Sequence, residues 1–372
     1  MNHPHYLDKH DLLAGGSPDS KLKLLSTGDE TLNSIIKTLA QEVSHHHDPR
    51  YLEALIMMGI DMANSDTPSH DFDVIDQCVY EMVQSNKLFA PFRHIRKIAI
   101  FGSARIKLGE PAYQTALDFS QEAAEHGYMV ITGGGPGIMQ ACNEGAGVER
   151  SFGLNIKLPY EQHSNHVIKD SPNLINFHYF FVRKLNFLAR SDAMVAFPGG
   201  FGTMDEIFET MTLIQTGKAT VYPIVLIDSP GKTFWLHWEH FVRTELIDSG
   251  LISEEDMNFI YITKSPSDAI EHIDAFYKIF HSYTFVDDLI SIRLNQPISD
   301  QWIHQLELEF DDLIKSEGMS LQKALPQESD EPLLKDLPRL IFKFNRSSYG
   351  RLRLLIDRIN MYPEVETDET NA

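Results

Sequence analysis

The pattern of hydrophobic and polar positions divides the chain into three parts. Before residue 93, short amphipathic stretches such as residues 31–43 have helical spacing. From there to residue 280, apolar runs of strand length alternate with amphipathic stretches, which is typical of parallel strands joined by helices. We therefore predict a helical N-terminal extension over residues 1–92, an α/β domain with a doubly wound parallel sheet over residues 93–280, and a mostly helical C-terminal extension over residues 281–372.

The apolar runs of the middle part also predict the order of the strands. They span residues 97–101, 128–132, 153–158, 193–197 and 222–227, and the predicted helices span residues 112–126, 138–146, 183–190 and 204–216. If residues 97–101 form the central strand, the chain winds outward through the next two strands. It then crosses back, so that residues 193–197 lie on the other side of the central strand. In such sheets, ligands bind beyond the carboxyl ends of the strands at this reversal.

Glycine-bearing loops follow three of these strands and are expected at one edge of the sheet. They are Gly102-Ser103, residues 133–137 and residues 199–203. The loop of residues 133–137 lacks the lysine of a P-loop, and Gln140 stands where the dinucleotide fingerprint needs its third glycine. We therefore expect neither a nucleoside triphosphate nor NAD, and a tight turn for strand-helix packing stays an alternative for this loop.

The loop of residues 199–203 is the most informative segment. It joins an apolar strand to an acidic helix start, and its three glycines let the backbone approach a ligand. Thr203 is predicted to cap the helix, and unpaired amides at a helix start attract anions. A phosphate held there, within reach of Asp205 and Glu206, indicates acid-base chemistry on a phosphorylated small molecule.

Composition and charge restrict the partners. The chain has 372 residues and a formal net charge of -21, which repels polyanions, so we expect neither nucleic acid nor an anionic membrane as a partner. No apolar run has the length of a membrane span. Because no secretory pattern is present and Cys78 and Cys142 are expected to be free thiols, we predict a cytoplasmic protein. Histidines such as His237 and His240 lack the spacing of a metal motif, so we expect no metal and no cofactor.

Several segments resemble the LOG ("Lonely guy") family, whose members are often labelled lysine decarboxylases. Residues 198–206 match its Pro-Gly-Gly-x-Gly-Thr-x-x-Glu signature, and residues 101–103, residues 133–139 and Arg183-Lys184 stand where the family has counterparts. The resemblance covers roughly residues 95–280. It implies a Rossmann-like fold, a homo-oligomer (a dimer or higher), and phosphoribohydrolase activity, which splits a nucleoside 5′-monophosphate into free base and ribose 5-phosphate. In plants and many microbes the base is a cytokinin, whereas a related bacterial branch acts on ordinary purine and pyrimidine monophosphates.

The chemistry of this reaction fits the residues of the resemblance. Breaking the bond between C1′ and the base develops positive charge on the ribose, which a nearby carboxylate stabilises. Glu206 is our candidate, although Thr203 and Glu206 have the spacing of a capping box. Arg183 and Lys184 are substrate contacts by resemblance, or else lie on a solvated helix face. The predicted catalytic residues are Glu206 and Arg183, and the predicted substrate-binding residues are Ser103, Gly134, Gly135, Gly137, Glu161, Lys184, Gly199, Gly200, Gly202, Thr203, Asp205 and Thr212.

Our hypothesis is the hydrolysis of a purine, AMP-like, nucleoside 5′-monophosphate. The rival is a nucleotide-binding or molybdenum-cofactor-type carrier protein on the same fold, which binds at the cradle and cleaves nothing. A third hypothesis concerns regulation, because a basic stretch at residues 339–358 stands out in an acidic protein and is a candidate effector site.

Overall fold

The computed structural model describes residues 18–23, 25–45, 48–159, 163–328 and 332–363. These residues form two compact units that divide between Val83 and Gln84. The first unit contains helices α1 (Pro18–Leu22), α2 (Glu30–Val43) and α3 (Pro49–Asn64) and most of α4 (Ser69–Phe89). The Asp29 carboxylate accepts hydrogen bonds from the amides of Thr31 and Leu32 at the start of α2, which explains why the helix begins there.

The second unit contains a parallel sheet with helices on its faces. Its strands are β1 (Lys97–Phe101), β2 (Met129–Thr132), β3 (Ser151–Ile156), β4 (Leu174–Phe177), β5 (Ala193–Ala196), β6 (Ile224–Ile227) and β7 (Ile260–Thr263). Its helices are α5 (Pro111–Glu125), α6 (Ile138–Ala146), α7 (Phe180–Arg190), α8 (Phe201–Gln215), α9 (Phe234–Phe241) and α10 (Pro266–Phe276). The strand order over the described residues is β4-β3-β2-β1-β5-β6-β7. The predicted fold class and the predicted reversal beside β1 are thus confirmed.

The central strands are buried on both faces, which explains their continuous apolar runs. Every residue of β1, β2 and β5 is buried. Strands β4 and β7 lie at the two edges of the sheet and are only partly buried. Their short, mixed sequences carry a weaker hydrophobic signal, and for that reason the pattern of the chain did not predict them.

The expectation of a mostly helical C-terminal extension is wrong. In the described part of the chain, β8 (Phe280–Val286), β9 (Leu289–Leu294), β10 (Ser320–Gln322) and β11 (Arg339–Lys343) form an antiparallel sheet, accompanied by α11 (Asp300–Glu309) and α12 (Tyr349–Asn360). Strands β8 and β9 are rich in aromatic and β-branched residues, which favour strands over helices. Asp287 turns the chain between them at φ 56°, a conformation that aspartate tolerates better than most residues.

The helices offer no candidate for a membrane span. Among the described residues, none of them combines the length and the apolar composition that crossing a bilayer requires.

Candidate active site

A cavity of about 720 Å³ opens at the carboxyl edge of the parallel sheet, beside β1 and β5. It lies at the reversal of the winding, where ligands bind in sheets of this type. Its walls come from the loops after β1, β2 and β5, the end of β3, and the beginnings of α7 and α8. The residues that line it are Phe101, Gly102, Ser103, Ala104, Arg105, Gly133, Met139, Asn155, Ile156, Leu158, Phe180, Arg183, Gly199, Gly200, Phe201, Gly202, Thr203 and Met204.

Main-chain hydrogen bonds hold the three glycine-bearing loops together. The amide of Ser103 donates to the carbonyl of Pro198 at 3.2 Å, and the amide of Ile138 donates to the carbonyl of Ser103 at 3.1 Å. The loop after β1 therefore contacts both of the others. Gly137 has φ 70°, and a Cβ there would collide with the backbone of Ser103 and Ala104. This close approach explains the glycine at position 137 as a packing requirement.

Helix α8 begins earlier than the sequence predicted. Its first residue is Phe201, its N-cap is Gly200, and no side chain caps it among the described residues. The predicted cap by Thr203 is therefore wrong, and the capping-box interpretation of Glu206 is wrong with it. A Cβ at Gly199 would collide with the Thr203 side chain, so the glycine lets that side chain fold back onto the turn. The turn thereby starts the helix two residues before Thr203.

Phe201 and Gly202, the first two residues of α8, line the cavity, and their amides have no carbonyl of their own helix to bond. The Thr203 amide, by contrast, donates to the Gly200 carbonyl at 3.1 Å. Unpaired amides are a general property of helix starts and make them binding groups for anions. Gly200 and Gly202 both line the cavity, and a Cβ at either position would meet no atom within 4 Å. The two glycines therefore leave open space above the helix start, as a phosphate cradle requires.

Glu206 and Arg183 meet beside this cradle. Glu206 lies one turn after Thr203 on the same face of α8 and is 4% exposed. Arg183, on α7, lines the cavity, and its Nη2 lies 3.8 Å from Glu206 Oε1. The rings of Phe180 and Phe187 lie 5.3 Å and 5.5 Å from the guanidinium carbon of Arg183 and restrict its position. Glu206 itself is not among the residues that line the cavity, but its neighbours Arg183 and Thr203 are.

The pKa of Glu206 is raised from its ordinary value of 4.5 to about 7. Burial is the main cause, because it disfavours the charged form. The cations Lys184 and Arg183 lower the pKa in part, and the carboxylates of Glu209 and Asp205 raise it. A carboxyl group whose pKa lies near neutrality in this way is suited to exchange a proton at physiological pH.

Lys184 belongs to a separate, more exposed cluster. Its Nζ lies 2.8 Å from Asp205 Oδ2 and 2.9 Å from Glu209 Oε2. Although burial alone would lower the pKa of Lys184, the hydrogen bonds to Asp205 and Glu209 raise it. Lys184 and Asp205 therefore neutralise each other, and both remain outside the lining of the cavity.

The other predicted site residues divide into two groups. Ser103, Gly199, Gly200, Gly202 and Thr203 line the cavity together with Arg183. Gly134, Gly135, Gly137 and Thr212 do not, and Glu161 lies outside the described residues.

Two of the residues outside the lining form hydrogen bonds within the protein. The carbonyl of Gly134 accepts a hydrogen bond from the amide of Asn165 at 2.7 Å. Thr212 is exposed, and its hydroxyl donates to the Phe208 carbonyl at 2.7 Å.

Several residues of the cavity wall were not predicted from the sequence. They are Arg105, Met139, Asn155, Leu158, Phe180 and Phe201. Asn155 had a usable signal, since it is a buried polar residue near the carboxyl end of an apolar strand. Phe201 had a different signal, since it stands between the glycines of the cradle loop. In the structure its side chain is 96% exposed.

Two comparisons with known proteins cover part of the α/β domain. Residues 138–273 match the family described as possible lysine decarboxylase. The chain is 27% identical over 175 residues to the cytokinin riboside 5′-monophosphate phosphoribohydrolase of Mycobacterium tuberculosis, covering 43% of this chain and 86% of that protein. Both findings confirm the resemblance to the LOG family.

Two solved structures are similar to part of this chain. The molybdenum cofactor binding protein of Rippkaea orientalis is 22% identical, with a TM-score of 0.36, over 49% of this chain and 96% of its own. The Moco carrier protein of Chlamydomonas reinhardtii is 19% identical, with a TM-score of 0.34, over 48% of this chain and 96% of its own.

Proposed function

We propose that this chain, whose α/β domain resembles the LOG family, hydrolyses the N-glycosidic bond of a purine nucleoside 5′-monophosphate such as AMP. The products are the free base and ribose 5-phosphate. The observation that carries the proposal is the buried Glu206, with a pKa near 7, paired with Arg183 beside an open glycine cradle. The relative from Mycobacterium tuberculosis, whose name is that of a phosphoribohydrolase, supports it.

The phosphate binds at the start of α8 in this proposal. The amides of residues 199–202 donate hydrogen bonds to its oxygens, and the dipole of the helix stabilises its charge. The Ser103 hydroxyl and Arg183 line the same cavity and provide further donors. Phosphate binding thereby orients C1′ of the ribose toward Glu206.

Glu206 acts on the ribose in its ionised form. As the C1′–N bond breaks, its electron pair leaves with the base and positive charge develops at C1′. The carboxylate stabilises that charge and takes a proton from the water that attacks C1′. Arg183 keeps its proton and donates hydrogen bonds, because a guanidinium is not deprotonated in proteins. A proton from solvent then restores the neutral base.

The cavity wall fits a flat, largely apolar base. Phe180, Leu158 and Met139 supply aromatic and apolar surface, and Asn155 supplies an amide for a hydrogen bond. A volume of about 720 Å³ is in the usual range for a site that holds a small ligand. These features support a purine as the base.

Replacing Glu206 by glutamine tests the proposal. The exchange retains the size of the side chain and removes its charge. We expect the wild-type protein to release adenine from AMP, and the Glu206→Gln variant to lose roughly 100- to 10,000-fold in kcat, since a general base typically contributes that much. Chromatography of the free base, with a panel of nucleoside 5′-monophosphates and with adenosine, measures both results.

Glu209→Gln is the matched control. It removes a carboxylate one turn further along α8 that bonds to Lys184 and lies outside the cavity. We expect its kcat to stay close to that of the wild type. Full turnover by Glu206→Gln would overturn the assignment of Glu206. Tight binding of nucleotides without release of any base would instead favour the carrier protein.

A further inference from the structure

The cations that contact the proposed catalytic centre are already balanced by carboxylates. Arg183 faces Glu206 at 3.8 Å, and Lys184 lies within 3 Å of both Asp205 and Glu209. The two positive groups thus have three acidic groups as neighbours. A phosphate monoester brings close to two further negative charges at neutral pH, so these pairs leave no positive charge in excess to hold it.

Arg105 differs from these cations because it has no carboxylate partner among the described residues. It lines the same cavity and is exposed, and its side chain has no ion pair or hydrogen bond with the residues that the structure describes. Of the described residues in the cavity lining, Arg105 and Arg183 are the cations, and only Arg183 has a carboxylate partner. Arg105 therefore supplies the positive charge that the balanced pairs do not.

Backbone contacts place Arg105 close to the cradle. The amide of Arg105 donates to the hydroxyl of Ser103 at 3.1 Å, which fixes the turn between the two residues. The amide of Ser103 in turn bonds to the carbonyl of Pro198, the residue before Gly199. The loop that carries Arg105 is thus held against the loop that forms the phosphate cradle.

Most cations of the basic stretch near the C-terminus are paired with carboxylates, and none of them lines the cavity. Arg351 pairs with Asp312 at 2.7 Å, Arg358 with Glu309 at 2.9 Å, and Arg353 with Asp357 at 2.9 Å. Lys343 lies 3.6 Å from Glu317. Arg346 of the same stretch has no carboxylate partner among the described residues; it donates to the Asp287 carbonyl at 3.5 Å and lies over the ring of Phe285.

We propose that Arg105 is a phosphate-binding residue, which captures the phosphate of the substrate and holds it against the start of α8. A guanidinium can donate two parallel hydrogen bonds to phosphate oxygens, and such charge-assisted bonds are the strong ones. This inference rests on the proposed function for the identity of the substrate. It goes beyond that function by assigning recognition of the phosphate to a residue outside the LOG signature.

Direct binding measurements test it separately from catalysis. The dissociation constants of ribose 5-phosphate and of AMP are measured by titration calorimetry with the full chain, for the wild type and for Arg105→Gln, Arg105→Lys and Lys107→Gln. We expect Arg105→Gln to raise the Kd of both ligands roughly 10- to 100-fold, the range for a lost hydrogen bond to a charged group. For Arg105→Lys, the Kd of each ligand should fall between that of Arg105→Gln and that of the wild type.

Lys107→Gln is the matched control, because it removes the same charge from the same loop outside the cavity. Its Kd should equal that of the wild type. Equal weakening by both variants, or no weakening by Arg105→Gln, would overturn the proposal, and so would a wild-type protein that binds neither ligand. If Arg105→Gln weakens AMP binding but no nucleotide is cleaved, the proposed function fails while the role of Arg105 stands.

Discussion

Two buried glutamates of this protein have arginine neighbours, and yet their pKa values move in opposite directions. Glu328, beside the antiparallel sheet, accepts hydrogen bonds from Arg293 at 3.0 Å, from Leu325 at 3.1 Å and from Ser291 at 3.2 Å. Arg339 also lies within 3.4 Å of it. Burial alone would raise the pKa of Glu328, but the Leu325 amide and the two arginines outweigh burial and lower it.

Glu206 has a similar depth of burial and far fewer partners. Arg183 approaches it only to 3.8 Å, and no donor among the described residues forms a hydrogen bond with it. Burial therefore dominates, and the pKa of Glu206 rises to about 7. The comparison shows that burial with saturated acceptors makes a carboxylate structural, whereas burial with unsaturated acceptors leaves it able to react.

Removing the charge of Glu328 should have the largest effect on stability. Glu328→Gln takes away the carboxylate that bonds to two buried arginines, and we expect the free energy of unfolding to fall by about 3 kcal/mol. Urea denaturation at pH 7 measures this loss. Turnover per folded molecule on AMP should remain near the wild-type value at low temperature, because Glu328 does not line the cavity. A variant as stable as the wild type would contradict the structural role of Glu328.

A smaller effect on stability is expected from the titration of Glu206. Its folded pKa of about 7 lies above the ordinary value of 4.5, so the unfolded chain loses this proton first. Its contribution to stability is therefore present below pH 4.5 and is lost as the pH rises to about 7. Between pH 5 and pH 8, the free energy of unfolding of the wild type should therefore fall by about 2 kcal/mol relative to that of Glu206→Gln. Urea denaturation of both proteins at the two pH values measures this difference.

Activity should rise with pH over the range in which the contribution of Glu206 to stability falls. Because Glu206 acts as the carboxylate, kcat/KM on AMP should rise with pH through about 7. Glu328, with its lowered pKa, contributes stability that is lost only as the pH falls below its ordinary range, so Glu328→Gln should keep the wild-type pH profile of activity. A profile of kcat/KM that is flat from pH 5 to pH 8 would contradict the role proposed for Glu206.

The smallest effect is expected at Thr212. Its hydroxyl is exposed and bonds to the Phe208 carbonyl of its own helix, away from the cavity lining. We expect Thr212→Ala to change kcat and KM on AMP by no more than about twofold, as surface substitutions usually do. A tenfold rise in KM would show instead that Thr212 contacts the substrate, as its position in the LOG resemblance implies.

Much of the fold and part of the site could be predicted from local sequence. The buried runs at β1, β2 and β5 set the parallel core, and the glycines near positions 102, 134 and 200 marked the functional edge of the sheet. The hairpin of β8 and β9 was missed because helical patterns on either side of it dominated the interpretation of that segment. Arg105 and Asn155 follow or end predicted strands, but their side chains carry no motif of their own, and only the folded chain shows that they line the cavity.

The alternation of strands and helices could be predicted from the sequence alone, because burial of apolar runs and the conformational freedom of glycine act within a few residues. The positions of Glu206 and Arg183 in recognisable segments could be predicted as well. The folded structure was needed to show that Glu206 is poorly solvated while Glu328 is fully bonded, and that Arg183 is paired while Arg105 is not. Charge and solvation depend on groups that folding brings together from distant parts of the chain, and no local pattern encodes those distances.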